Sequence, residues 1–560
     1  MGWRLLESMK IKLPKKFLIL VAILIIGAFL RFYKLSTVPP HLTPDEASLG
    51  YNAYSILKTG KDEYGVRFPL IFKSFGDYKP GLYVYLTIPF VYFFGLNEFA
   101  VRAPSALFGI LSIYLIYLVA KQLFKKERIA LISSFVFSLM PWSIYFSRGA
   151  WEVNVSLTLT LAGIYFFLKF LKKPRYLVLS AVFFGLTLLC YQGAKLSSSI
   201  VIVLLVLTNL KSVIKTKPKY LLTSIFTGVL ISLPIILSLF SGKTGRLNVF
   251  SVFSYRRPDE YLQNQLSQGN EKVGDLSYYL FHSETYNFLR GIMGRWFNHF
   301  SARFLFFEGD WSNPRHSAPS SGVLTLADFI LLILGFIAVF KGKLEENKKF
   351  IVLWLVLACL PAILSRDQVH AVRSLNMSVP LAIILSLGLN QLFDIHSKFK
   401  KIILVLFGGI YLVSYLYFLD AYFIHLSIHN SKYWEYGYKQ IVETVTPIQK
   451  NYDVIKVQQS YAQPYIYFLF YQKYDPLRYQ QMANLKESEY GDVGQVEKLD
   501  NIYFSPIDWS INRGEKGTLF VADSVRIPPE DSQESDSFRV ISEIKYLNGR
   551  DIAFRIIEIK

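Results

Sequence analysis

The chain has 560 residues, is 52% hydrophobic and 16% aromatic, and carries a formal net charge of +20. Its apolar residues come in long runs separated by short basic stretches, the pattern of a polytopic membrane protein. That spacing argues against a nucleic-acid binder, whose positive charge gathers in one patch, and the lack of a Walker or dinucleotide glycine motif argues against a nucleotide-driven engine.

In chain order, Lys10, Lys12, Lys15 and Lys16 precede an apolar run with no small-residue cleavage site after it. This predicts an uncleaved first span rather than a signal peptide. Apolar runs long enough to cross a hydrocarbon core of about 30 Å lie near 17–32, 101–120, 129–146, 153–171, 176–191, 196–210, 220–240, 323–341, 350–365, 372–392 and 401–419. Residues 80–96 form one more candidate, short, aromatic and interrupted by Pro89. At 1.5 Å per residue it reaches only about 24 Å.

Charge decides the status of 80–96. If it does not cross and the N-terminus is cytoplasmic, the basic loops all fall on one side. These are Lys121/Lys125/Lys126/Arg128, Lys169/Lys172/Lys173/Arg175, Lys211/Lys215/Lys217/Lys219, Lys341/Lys343/Lys348/Lys349 and Lys398/Lys400/Lys401. If it crosses, all five move outside, against the positive-inside bias. An interfacial helix on the outer face is therefore expected. About eleven spans remain, with the first loop (33–100), the 241–322 loop and the C-terminal region outside. Cys190 and Cys359 both sit in apolar runs and read as packing residues.

Beyond about residue 420 the chain is much less hydrophobic. Val454–Val457 reads as a strand, Pro464–Tyr471 as a helix, and Asn501–Phe504 and Thr518–Val521 as short strands. Residues 539–560 alternate around Asn548-Gly549, a hairpin signal. A soluble α/β domain over 421–560 is expected outside the membrane, following a membrane domain over 1–420.

The ionisable residues avoid the span interiors and collect in the outer loops. A coupled transporter usually needs such groups at mid-membrane, so the pattern favours a site at the outer surface. Thr43-Pro44-Asp45-Glu46 opens the first loop, and Lys79 follows in Gly76-Asp77-Tyr78-Lys79-Pro80-Gly81. Adjacent acids point in different directions, so Asp45 and Glu46 are not expected to act as a paired dyad. One would serve as base at an attacking hydroxyl or amine, the other as metal ligand or orienting group. Both also suit the first turn of a helix. Lys79 would stabilise a departing phosphate, or snorkel to headgroups.

The pattern of Pro-Asp-Glu, then Lys-Pro, then Gly95-Leu96-Asn97-Glu98-Phe99-Ala100-Val101-Arg102-Ala103-Pro104-Ser105 resembles the GT-C membrane glycosyltransferases. The nearest type is that of the protein O-mannosyltransferases and lipid A aminoarabinose transferases. The resemblance is specific over about 35–130 and lapses in the C-terminal region; Lys-Pro-Gly departs from the usual Lys-Pro-Pro. It implies a GT-C-like helical bundle with two interfacial helices in the first loop. It also implies a polyprenyl-phosphate-linked sugar donor, an extracytoplasmic acceptor, an essential acid at Asp45 and a phosphate-contacting lysine at Lys79.

Weaker candidates share the outer face. Glu152, beside Trp151, matches the place where related enzymes often set a second acid, for metal or acceptor. Lys195, in Tyr191-Gln192-Gly193-Ala194-Lys195, and Arg373, in His370-Ala371-Val372-Arg373-Ser374, suit donor phosphate. Asp310, Arg315 and His316 in the large loop, with His370, suit donor or acceptor. A divalent metal fits the chemistry, but no sequence-close ligand set specifies one. Trp434-Glu435-Tyr436-Gly437 is similar, inexactly, to the acceptor motif of oligosaccharyltransferases, and an aromatic interface belt explains it as well. The expected activity is inverting transfer of a sugar from a lipid-linked donor to a protein, lipid or glycan at the cell membrane. An oligosaccharyltransferase-like enzyme and a lipid-linked-sugar transporter are the rivals.

Overall fold

The computed structural model describes residues 14–240, 251–254, 256–341, 345–459, 463–486, 494–531 and 533–560. The chain is mainly helical, with one mixed sheet near the C-terminus. Among the described residues, five helices are long and apolar enough to cross a membrane: Glu98–Phe124, Glu152–Phe170, Pro218–Ser238, Leu375–Phe393 and Lys400–Trp434. Two of them, Glu152–Phe170 and Leu375–Phe393, are 83% buried inside the protein, against 17% for Pro218–Ser238 and 11% for Lys400–Trp434. The first pair forms the centre of the bundle, and the second offers its apolar surface to lipid.

These five carry the expected runs at 101–120, 153–171, 220–240, 372–392 and 401–419. Other expected runs are divided or short. The run at 129–146 breaks at Met140 into Glu127–Leu139 and Pro141–Phe146, because Pro141 has no N–H to continue the ladder. The run at 350–365 divides into Glu346–Leu357 and Leu360–Ile363. Leu82–Phe94 is a helix of 13 residues, about 20 Å long and too short to cross unaided.

The first loop is built, not slack. Helix Pro44–Thr59 starts on a complete capping box, in which Thr43 Oγ1 accepts from Glu46 N, and Glu46 Oε2 accepts from Thr43 N. It ends on Gly60 at φ +70°. A two-residue hairpin then pairs Ile71–Ser74 with Asp77–Pro80. Its turn is Phe75-Gly76, both at positive φ (53° and 91°), the requirement of a tight type I′ connection.

The C-terminal sheet has the order Lys498–Leu499, Ile502–Ser505, Val454–Gln458, Thr518–Ala522, Ile552–Ile559, Phe538–Lys545. Val454–Gln458 is parallel to both of its neighbours, and the remaining pairs are antiparallel. Every C-terminal element expected from sequence has a counterpart here, including the last hairpin with Gly549 at φ +71°. The helical run from Lys400 continues to Trp434. One hydrophobic core joins the helical and sheet parts: Tyr51, Phe75, Tyr83 and Val101 from the membrane side pack with Tyr438, Tyr465, Phe470 and Ile455. The sheet unit is therefore fastened to the first loop.

Candidate active site

Asp45 and Glu46 are neighbours in one helical turn, so their side chains diverge by roughly 100°. Glu46 points inward and is 4% exposed. It accepts from Arg102 Nε at 3.0 Å and Nη2 at 3.2 Å, from Thr43 N at 3.0 Å and from Ala150 N at 2.8 Å. Arg102 is itself fully buried and donates its remaining hydrogens to the carbonyls of Leu35, Pro39 and His41. This saturated pair ties the end of the first helix, the start of the loop helix and the 148–151 turn to Glu98–Phe124. A second buried guanidinium, Arg148, binds the carbonyls of Leu30, Arg31, Tyr33 and Val38 just behind. Together they hold the base of the loop rigid.

Asp45 points the other way. Its side chain is 59% exposed, and its Oδ1 accepts from the Lys79 ammonium, whose own side chain is only 11% exposed. Lys79 lies on the second hairpin strand, paired with Phe72, and its ammonium also sits over the Phe75 ring at 5.7 Å. The hairpin, absent from the sequence reading, is what brings Lys79 back over the helix start.

The sheet unit adds a further acid to this mouth. Glu435 follows the long helix in a left-handed conformation (φ 54°). Its carboxylate accepts from Tyr467 Oη at 2.8 Å and lies 3.9 Å from Arg315 Nη1. Burial raises the pKa of this carboxyl and the charge of Asp45 adds to the shift, while Arg315 and Tyr467 oppose it. The Asp45–Lys79 and Glu435–Arg315 pairs, contributed by the first loop, the large loop and the C-terminal unit, are thus near enough for the Asp45 charge to act on Glu435.

Behind the mouth, Asp310, His316 and His370 are all buried. His316 also packs its ring on Trp151 and His370, at 5.5 and 5.1 Å between centroids. Beneath the hairpin, Gln192 binds Asp77 Oδ2 and the Tyr78 carbonyl, and Asp77 acts electrostatically on Lys195. Lys195 thus stands one contact away from the strand that carries Lys79. Glu152 begins its helix, with its carbonyl accepting from Cys190 Sγ at 3.3 Å. Arg373 pairs with Asp367 on its own loop at 3.3 Å.

Sequence reading did not single out Arg102, Glu435 or Glu63 for a role. Arg102 carried a signal, a guanidinium in an apolar helix, which must find partners. Glu435 stood in the Trp434–Gly437 stretch noted for its likeness to an acceptor motif, but its place beside Arg315 depends on how the long helix ends. Glu63 is fully buried, bonded through Asn52 Nδ2 at 2.9 Å and Asn52 Oδ1 at 3.0 Å. Burial, helped by nearby Asp62 and opposed by Asn52, pushes its carboxyl up to about 8.

The family model described as dolichyl-phosphate-mannose-protein mannosyltransferase matches residues 78–237, a stretch that begins at the strand carrying Lys79. Over the whole length, the chain is similar to ArnT from Cupriavidus metallidurans bound to undecaprenyl phosphate. That match has 12% identity and a TM-score of 0.52, covering 96% of this chain and 97% of ArnT. The likeness shows that the chain shares the ArnT fold. The same ArnT in its apo state matches at 13% identity and a TM-score of 0.50, again over 96% and 97%. The Archaeoglobus fulgidus oligosaccharyltransferase tethered to an acceptor peptide matches at 14% identity and 0.49, over 81% of this chain and 63% of that one. No curated protein matches the sequence.

Proposed function

We propose that the protein transfers a sugar from a polyprenyl-phosphate-linked donor to an acceptor on the extracytoplasmic face, with inversion at the anomeric carbon. The observation that carries this reading is the Asp45–Lys79 pair at the open mouth: an exposed carboxylate held against a largely buried ammonium. The step needs one group of each kind. Asp45 takes the proton from the acceptor O–H or N–H. The acceptor forms its bond to the anomeric carbon while the bond from that carbon to the phosphate oxygen breaks. The electron pair leaves with the phosphate, and the Lys79 ammonium stabilises the added charge. A single displacement inverts the configuration. A bound donor phosphate also competes for Lys79, which releases Asp45 to act as base once the donor is in place.

Glu46 serves in this scheme as a positioning residue, since its oxygens are spent on Arg102, Thr43 and Ala150. Lys195 supports the hairpin from below. The undecaprenyl phosphate held by ArnT, which shares this fold over nearly its whole length, supports the class of donor lipid. The one-sided basic loops support an extracytoplasmic mouth. Glu435, at the head of the C-terminal unit and facing Arg315, favours a part for that unit in holding the acceptor.

The test is a labelled polyprenyl-phosphate sugar offered to purified protein in detergent, with free polyprenyl phosphate and product anomer both measured. Release of the lipid phosphate and an inverted product are expected. Transbilayer movement of intact donor without cleavage, or a retained anomer, would overturn the reading.

A further inference from the structure

Two segments far apart in sequence, the 310–316 turn and the loop at 370, bring together Asp310, His316 and His370. Each residue offers one donor atom, all three are buried, and these atoms lie within 4.8 Å of one another. Asp310 Oδ2 stands 3.0 Å from His316 Nδ1 and accepts from Ala371 N at 2.7 Å. Its other oxygen accepts from Asn313 N at 3.1 Å and from Asn313 Nδ2 at 3.2 Å. Asp310 is 0% exposed, yet its bonds come from two amides, one carboxamide and one imidazole rather than from a lysine or arginine. The segment carrying His370 is fixed in turn, with His370 N donating to His299 Nε2 at 3.2 Å and Ser374 Oγ donating to the His370 carbonyl at 2.7 Å.

We infer that Asp310, His316 and His370 form a binding site for one divalent transition-metal ion, Zn2+ foremost. Two imidazoles and a carboxylate are the donor set of a borderline ion rather than of Mg2+ or Ca2+. Bonds of about 2.0–2.2 Å in tetrahedral geometry set ligand atoms about 3.3–3.5 Å apart, so a closure of roughly 1 Å completes the set from the observed spacing. On binding through Nδ1, the ion replaces the Asp310–His316 hydrogen bond, and the neutral ring keeps its one proton on Nε2. Asn313 and the Ala371 amide supply the outer hydrogen bonds that orient a ligating carboxylate.

The site's purpose follows from its neighbours. The ion fastens the 310–316 turn to the 370–371 loop, and Arg315, next to His316, is the residue that reaches Glu435. The centre is a positioning device for one wall of the mouth. It stands independently of the donor chemistry, because its readout is metal content and not transfer.

The experiment uses full-length, tag-free protein, stripped with a chelator and refilled with Zn2+ or Co2+, with metal measured by mass spectrometry. About one equivalent per chain is expected, with the visible spectrum of near-tetrahedral Co2+. His316→Ala and His370→Gln should lose the equivalent, and Asn313→Ala should weaken it about 10- to 100-fold. His425→Ala should retain it, since that half-exposed ring lies in another pair with His429. Less than about a tenth of an equivalent on the refilled wild type would overturn the site. So would full loading of the two ligand variants, which would put the ion elsewhere. Wild-type stoichiometry decides even where a variant fails to fold.

Discussion

The mouth of the first loop and the shell behind it each hold one acid–base pair, drawn from adjacent acids, and the two pairs are built for opposite purposes. At the mouth, Asp45 is 59% exposed and bonded to the Lys79 ammonium. In the shell, the Glu46 and Arg102 side chains are 5% and 0% exposed, the guanidinium is engaged on every nitrogen, and the carboxylate has four donors. A pair that water can reach is worth little to stability but can exchange partners. A desolvated, saturated pair cannot exchange partners and costs a great deal to break. The first pair therefore suits the chemistry proposed for it, and the second a positioning role.

That contrast can be broken by four measurements. Asp45→Asn should lower transfer by about 10²–10⁴-fold, while moving unfolding stability by less than about 1 kcal/mol. Full activity in that variant would remove the base from the mouth. Arg102→Ala leaves a buried carboxylate without its cation and should cost about 3–5 kcal/mol, read as a lowered thermal midpoint and poor yield. Glu46→Gln with unchanged stability but abolished turnover would reverse the assignment of the two acids. Lys79→Ala should reduce kcat by about 10²–10³-fold with nearly unchanged stability, and an effect on stability alone would make it a snorkelling lysine.

Glu63 sharpens the comparison as a third acid, buried like Glu46 but bonded by an asparagine in place of a guanidinium. Its carboxyl is pushed up to about 8 in the folded protein, from an ordinary value of 4.5. The folded state therefore holds the proton more tightly than the unfolded chain. The resulting stability is fully present below pH 4.5 and is lost as pH rises through about 8. Glu63→Gln should flatten the fall in stability between those limits, recovering a few kcal/mol at most at pH 8. Equal pH profiles for variant and wild type would show that Glu63 is ionised and paired.

The sequence reading recovered much of this. The long apolar runs marked helices, and the last twenty residues marked a hairpin. It began the interfacial helix at Pro80 and saw no hairpin before it, because the signal Phe75-Gly76 is only two residues long and lacks the usual Asn or Asp. It kept 129–146 and 350–365 as single runs, since hydropathy does not register where Pro141 or the Leu360–Ile363 turn interrupts a ladder. It treated Asp45 and Glu46 together as catalytic candidates, since spacing alone cannot say which of two divergent side chains meets solvent.

Composition and periodicity by themselves determined that the chain is a helical membrane protein, and led to the expectation that its reactive groups lie outside the bilayer. Both follow from the cost of placing polar groups in hydrocarbon, a local rule that each segment obeys separately. Which acid is exposed, which lysine meets it, how Arg315 comes to Glu435 and how Asp310, His316 and His370 gather behind were decided only in the folded chain. Those relations join residues 45, 79, 310–316, 370 and 435, and they depend on packing between segments that no local pattern encodes.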